Sequence, residues 1–190
     1  MNNLELFARL NATAATPHWQ ITTAAALAQW LIWIIPLALV LAWLNGDDGR
    51  RRELLEMLVA ALIALGIAQL VTHFWPRPRP FMLHLGTQFL EHSPDPGLPS
   101  DHVTVFWSLA CAACVSSRLR AWCIPLFLGG LVVGWSRVFL GIHFPYDVAA
   151  ALPVGALGTL VARSLRAPLQ PVYAAALRCW NWAARSILRA

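Results

Sequence analysis

From Ile21 to Leu44 the chain runs without one ionisable side chain, and as a helix that stretch is long enough to cross a hydrocarbon core of roughly 30 Å. Further apolar runs follow at about Leu54–Trp75, Val103–Ser117, Ala121–Leu140 and Pro145–Leu165. Five spans are therefore expected. Val103–Ser117 is short for a crossing and is expected to lie shielded inside the bundle or to start below the surface. With 58% apolar residues and 10 Trp among 190, the chain is too greasy for a soluble domain of its size.

The ends read differently from the spans. Leu4, Phe7 and Leu10 have helical spacing before Asn11–Pro17 breaks it, which predicts a short interfacial helix with an anchoring role. In the tail, from about Pro171 to Arg189, Arg178, Arg185 and Arg189 share one narrow arc, with Leu177, Trp180 and Ile187 broadly opposite. That pattern predicts a basic amphipathic helix on anionic headgroups, with a charged sixth span as the alternative. The expected fold is all-α: a polytopic membrane bundle of about five transmembrane helices with interfacial helices at both ends. It forms one domain over residues 1–190, with a core at about 21–166 and an amphipathic segment at about 171–189. No cleavable signal peptide is evident, so the first span is expected to direct insertion. Cys111, Cys114, Cys123 and Cys179 fall in apolar or terminal helical stretches and are expected to be small packing residues, not a disulfide frame.

The net charge of +5 is carried by arginine alone, because the chain has no lysine. Under the five-span reading Arg50, Arg51, Arg52, Arg118, Arg120, Arg163, Arg166, Arg178, Arg185 and Arg189 all fall on one side, which the positive-inside rule makes cytoplasmic. Only Arg9, Arg77, Arg79 and Arg137 remain opposite. Three of these four lie in or beside short polar strings that the same parity brings to one face: Arg79-Pro80, Pro99-Ser100-Asp101-His102, and Ser136-Arg137 followed by His143 and Asp147.

Each string suits an anion. Arginine meets phosphate oxygens with a rigid fork of donors that stays charged, and Pro78 and Pro80 stiffen the backbone around Arg79. Pro99–His102 precedes an apolar helix, where free N–H groups and the dipole favour negative charge, and Ser100 can add a hydroxyl. Read singly, an interfacial arginine and an ordinary helix cap explain those two strings equally well; His102 is what a cap leaves unexplained. His143 and Asp147 are four apart around Pro145, so the carboxylate can reach one imidazole nitrogen and aim the other at phosphorus. A capping Asp beside an interfacial His is the simpler alternative. His73, His84, His92, His102 and His143 share the inferred face, yet there is no HExxH or close His/Cys grouping, and the adjacent arginines repel a divalent cation. No metal and no other cofactor is expected.

Together these strings resemble the type 2 phosphatidic acid phosphatase superfamily, whose series is K-x6-R-P, P-S-G-H and S-R-x5-H-x3-D. The resemblance spans about Leu54–Leu165, and the third block is its most specific part. Thr72 stands where the first block has lysine, and Asp101 replaces the glycine of the second. PSDH, and the stretch H-x-P-D-x-x-x-P-S-D-H from His92 to His102, are similar to the bacitracin-resistance branch of undecaprenyl-diphosphate phosphatases. The resemblance implies that His143 attacks the terminal phosphorus, Asp147 orients it, and His102 protonates the departing lipid phosphate. It further implies that Arg79, Ser100 and Arg137 hold the phosphoryl oxygens. Arg77, two residues before Arg79, is expected to contact the second phosphate in place of the missing lysine.

The implied activity is hydrolysis of undecaprenyl diphosphate to undecaprenyl phosphate and inorganic phosphate in a bacterial inner membrane, with the site facing the periplasm. The partners are then a polyprenyl diphosphate lipid and the bilayer, and no nucleic acid. Two alternatives stand beside it. One keeps the fold and acts on phosphatidylglycerol phosphate, phosphatidic acid or a lipid A phosphate, or transfers the phosphoryl group. The other is a non-enzymatic scaffold or transporter, for which charges within the spans are expected; the spans are nearly free of them.

Overall fold

The computed structural model describes residues 2–187, and these are folded into eight α-helices joined by turns and short 3-10 segments. Arg189 and the side chain of Ile187, both used in the tail's expected pattern, lie outside the described residues. Helix α1 (Asn3–Leu10) is opened by a capping box: Asn2 Oδ1 accepts from Glu5 N at 2.9 Å, and Glu5 Oε2 accepts from Asn2 N at 3.1 Å.

The first apolar run forms α2 (His18–Trp30) and α3 (Ile34–Leu44), separated by a 3-10 turn at Leu31–Trp33. Pro36 accounts for the interruption. It has no N–H to give the carbonyl four residues back, at Ile32, and its ring crowds that carbonyl. The sequence pattern reads this run as one unbroken helix; the structure makes it a jointed one.

Helix α4 (Asp48–Phe74) starts where Asp47 Oδ1 accepts from Arg50 N at 2.7 Å, so the Arg50–Arg52 block lies in its first turns instead of in a preceding loop. It stops at Phe74, two residues before Pro76. An irregular segment follows, broken only by a 3-10 turn at Pro80–Leu83, and leads into α5 (Asp101–Cys114). Helix α6 (Cys123–Phe139), α7 (Pro145–Ser164) and α8 (Gln170–Ile187) complete the chain.

Among the described residues four segments are long and apolar enough to cross a membrane: His18–Leu44, Asp48–Phe74, Arg120–Phe139 and Pro145–Ser164. Helix α5 is not one of them. At 1.5 Å per residue its 14 residues reach about 21 Å, and nine of the 14 are buried where it packs between α4, α6 and α7. It is the shielded central helix of the bundle. Because α5 and α6 still form a hairpin, the chain returns to the side it left.

One end of the bundle gathers most of the arginines and pairs four of them with carboxylates. Arg118 NH1 meets Asp47 Oδ2 at 2.9 Å, and Arg166 Nε meets Glu56 Oε1 at 2.9 Å. Glu53 accepts from Ser116 Oγ, from Ser117 Oγ at 2.6 Å and from Arg118 N at 2.9 Å. Helix α8 docks on this end: Asn181 Nδ2 donates to Asp48 at 3.0 Å, while Trp180 lies 5.8 Å from Trp43 and under the Arg51 guanidinium at 5.2 Å. It is not among the candidate spans. A disulfide joins Cys114 to Cys123 across the α5–α6 turn, which corrects the expectation that all four cysteines only pack; Cys111 and Cys179 are free. The helical turn brings together residues that look unrelated at nine positions apart.

The helices are held close by small residues. A Cβ added at Gly155 of α7 would meet the α5 backbone, 2.8 Å from Ser108 N and 3.0 Å from its Cα, and backbone at a buried helix crossing has little room to yield. Gly155→Ala is expected to destabilise the bundle by about 1–3 kcal/mol, read as a lowered melting temperature of the purified protein in detergent.

Candidate active site

At the end opposite the arginine cluster, the α4–α5 segment, the first turn of α5, the end of α6 and the start of α7 converge on one buried imidazole. His143 lies in the turn Leu140–Phe144 and is only 2% exposed. That turn needs Gly141, whose φ is +81° and where a Cβ would sit 2.3 Å from the Thr87 carbonyl. Phe144 then caps α7, its backbone N–H donating to Asp147 Oδ2 at 2.9 Å. Asp147 is fixed in the first turn of α7 by the same bond, with Oδ2 3.6 Å from His143 Nδ1. This is ion-pair range, longer than a hydrogen bond.

Arg79 is the closest polar neighbour of the imidazole. Its NH1 lies 2.8 Å from His143 Nε2 and donates to the Ile142 carbonyl at 3.2 Å. On the other side Nε donates to the Asp95 carbonyl at 2.9 Å and to Asp95 Oδ1 at 3.2 Å. A guanidinium only donates, so Nε2 carries a lone pair and the ring proton is on Nδ1, toward Asp147. Arg137 enters from α6. Its NH1 donates to the Ala28 carbonyl at 3.4 Å and its NH2 lies 3.1 Å from His92 Nε2, while its buried Nε has no partner among the described residues. Ala28 is among the last four residues of α2, whose carbonyls lack full helical partners, so the joint in the first span supplies an acceptor for Arg137.

Ser100 is the N-cap of α5 and fully buried. Its N–H donates to the Asp147 carbonyl at 3.1 Å, and its Oγ has no partner among the described residues. His102 is half-buried in the first turn of α5, near enough for its charge to act on His143. Arg77 is half-buried; its carbonyl accepts from Gly97 N at 2.9 Å, and its side chain makes no polar contact among the described residues. Thr72 bonds the Leu98 carbonyl at 2.9 Å, and Asp101 is taken by Gln69 Nε2 at 3.3 Å. Thr72 therefore ties α4 to the loop and Asp101 ties α5 to α4, and neither bonds a residue of the centre.

Three features of the site were not assigned from sequence. Gly97 packs against it so closely that a Cβ would lie 3.0 Å from Arg79 Cγ, 3.3 Å from Asp147 Oδ2 and 3.5 Å from His143 Nδ1. His92 and Asp95 stood in the quoted string without a role, and each contacts one buried arginine. Helix α1 does more than anchor: buried Phe7 packs on Phe144 at 5.3 Å. Asn11 donates to the Thr87 and Phe139 carbonyls and accepts from Thr87 N, clamping the turn that carries His143.

Chemically, the centre is a neutral imidazole in a cationic cup. Burial holds His143 well below its ordinary value of 6.5, and the charges of Arg137, Arg79, His92 and His102 push the same way. Such a site attracts an anion and presents it an unprotonated nitrogen.

A polytopic helical bundle with this centre is the architecture of a membrane-embedded enzyme for anionic headgroups, and the comparisons agree. The profile described as PAP2 superfamily matches residues 53–170, and the chain belongs to that family. It is 36% identical over 161 residues to YbjG of Escherichia coli (strain K12), a provisionally named undecaprenyl-diphosphatase, covering 85% of this chain and 81% of that protein. It is 34% identical over 123 residues to the undecaprenyl-diphosphatase BcrC of Bacillus subtilis (strain 168), covering 64% and 63%. Among solved structures, Aquifex aeolicus LpxE superposes with a TM-score of 0.70 at 20% identity, covering 85% of this chain and 94% of that one. A PAP2-type phosphatidylglycerolphosphate phosphatase from Bacillus subtilis gives 0.62 at 17% identity, covering 88% and 86%. These two likenesses establish the fold.

Because His143 is held neutral when folded and is free to protonate when unfolded, the unfolded state binds more protons at low pH. The stabilisation is complete above the ordinary histidine value and is lost as pH falls below about 6.5, at up to about 1.4 kcal/mol per pH unit for this one group. His143→Gln is expected to flatten the fall in melting temperature between pH 6.5 and 5, measured by thermal unfolding across that range.

Proposed function

We propose that this chain is a membrane lipid phosphatase that hydrolyses undecaprenyl diphosphate to undecaprenyl phosphate and inorganic phosphate. The observation that carries the reading is the contact of Arg79 NH1 with His143 Nε2 at 2.8 Å inside a buried, cationic cup, in a family whose relatives YbjG and BcrC bear that activity in their names. A polyprenyl diphosphate presents its headgroup at the membrane surface, where this cup opens between helix ends.

In this reading Nε2 of His143 attacks the terminal phosphorus as Arg79 shifts from the ring to a phosphoryl oxygen. The bond from phosphorus to the bridging oxygen breaks, His102 gives that oxygen its proton, and undecaprenyl phosphate leaves. Arg137 Nε and Ser100 Oγ, both buried without partners among the described residues, donate to the remaining oxygens as charge spreads over them. Asp147 accepts from Nδ1–H and stabilises the cationic ring of the phosphohistidine. Water, losing a proton to His102, then attacks phosphorus, releases phosphate and restores His143. Arg77, whose side chain has no polar contact among the described residues, contributes charge to the second phosphate.

The concentration of unpaired arginine at the opposite end supports a cytoplasmic assignment for that end. The site then opens to the periplasm of a bacterial inner membrane, where release of the monophosphate returns a carrier lipid for cell-wall synthesis.

Purified protein in chelator is expected to release inorganic phosphate from undecaprenyl diphosphate faster than from phosphatidylglycerol phosphate or phosphatidic acid. Faster turnover of either of these would reassign the substrate. Quenching with labelled substrate should trap an acid-labile, base-stable adduct that His143→Ala abolishes; full activity in that variant would sink the covalent route. Gly97→Ala, which crowds Arg79, Asp147 and His143 together, is expected to lower kcat at least tenfold while the melting temperature holds.

A further inference from the structure

We propose that His92 binds the second, lipid-linked phosphate of the substrate and so makes the site selective for a diphosphate. The inference rests on the lipid diphosphate reading above and assigns a hydrogen-bonding residue to a phosphate for which that reading supplies only the charge of Arg77.

The segment between α4 and α5 offers one side chain to each buried arginine: Asp95 to Arg79 Nε at 3.2 Å, and His92 to Arg137 NH2 at 3.1 Å. The His92 ring is oriented at its other nitrogen, where Nδ1 lies 3.1 Å from the Ser93 carbonyl and 3.4 Å from Asp95 Oδ1. A carbonyl accepts only from a protonated nitrogen, so Nδ1 carries the proton and Nε2 receives Arg137. Burial keeps the ring below its ordinary value and both arginines push the same way, against the Ser93 carbonyl and Asp95.

Position decides which phosphate this ring meets. The His92 and His143 ring centroids are 6.5 Å apart and steeply inclined, at 74°. His143 is on the floor of the site with 2% of its side chain exposed, whereas His92 stands nearer the opening with 23% exposed. In an in-line displacement the leaving group lies opposite the nucleophile, so attack from the floor sends the lipid-linked phosphate toward the opening. There Arg137 turns its NH2 from the ring to a phosphoryl oxygen, and Nε2 of His92, protonated from bulk solvent as the anion binds, donates a charge-assisted hydrogen bond to that phosphate, with Asp95 balancing the ring from the Nδ1 side. The proton lent to the leaving oxygen remains the task of His102. A monophosphate has no group at this position.

The test compares wild type with His92→Ala and the milder His92→Asn, using the purified full-length protein. Two inhibitors of undecaprenyl diphosphate turnover serve as probes: orthovanadate, which resembles one phosphate, and methylenediphosphonate, which resembles two. Methylenediphosphonate inhibition is expected to weaken at least tenfold in both variants, with a similar fall in kcat/KM for undecaprenyl diphosphate, while orthovanadate inhibition stays within about twofold. If both inhibitors weaken by the same factor, His92 only holds Arg137 in place and the proposal is overturned. Unchanged inhibition by both, or a wild type that methylenediphosphonate does not inhibit, also overturns it. Loss of the function reading appears separately, as wild-type turnover of phosphatidic acid without turnover of undecaprenyl diphosphate; the inhibitor comparison run on phosphatidic acid then judges His92 by itself.

Discussion

Two guanidinium groups are buried within one site, Arg79 at 5% and Arg137 at 4% exposure, and the rest of the architecture follows from how they are accommodated. Burying a cation is expensive unless it is paired or fully hydrogen-bonded. Among the described residues only one carboxylate, that of exposed Asp95, contacts either group. The remaining acceptors are the carbonyls of Asp95, Pro96, Ile142 and Ala28 and the rings of His143 and His92. Helix interiors consume their own carbonyls, so acceptors of this kind exist only at helix ends and in loops. The site therefore has to be a ring of chain ends: the last turn of α2, the α4–α5 segment and the α6–α7 turn. Arg137 and the caps of α5 and α7 point into the same space.

This explains which parts of the fold were legible in the sequence. Spans, their parity and the one-sided arginines follow from hydropathy and charge, which act residue by residue. The spacing of Ser136, Arg137, His143 and Asp147 was readable for a similar reason: they lie within one helix end, one turn and one helix start, so local geometry determines their neighbourhood. Contacts between distant segments were not readable. Nothing local in Asn11 announces that its amide clamps Thr87 to Phe139, and nothing in Phe7 announces Phe144. Gly97 looks like one more turn residue in a Pro-rich loop until Arg79, Asp147 and His143 are found around it. Pro36 was visible, but its consequence depends on Arg137 arriving beside the carbonyl that the joint leaves available.

Helix α5 illustrates a different limit. Its length falls short of a span and its composition is apolar throughout, a combination that fits a buried central helix as well as a surface-starting one. Packing decides, because α4, α6 and α7 enclose it and Gly155 lets α7 approach its backbone. That enclosure fixes the depth of Ser100 and His102. The helix start that carries them is held by its neighbours and not by its own contact with lipid, which is what a site needing precise placement of a hydroxyl and an imidazole requires.

The same residue type serves opposite purposes at the two ends of the bundle, and its partners distinguish them. At the α8 end Arg51, Arg52, Arg118 and Arg166 are matched by Asp48, Glu56 and Asp47, and these pairs tie the turns together. Inside the site the partners of Arg79 and Arg137 are mostly neutral, and the positive charge of these two groups survives. Burial, helped by a cup left cationic in this way, keeps His143 unprotonated while the site is empty, and the cup reserves its strongest interaction for an arriving anion. Matching these arginines with buried carboxylates would stabilise the empty fold, but it would raise the proton affinity of His143 and leave no field for an anion. The incomplete neutralisation of Arg79 and Arg137 is thus the feature that separates a reactive end from a structural one.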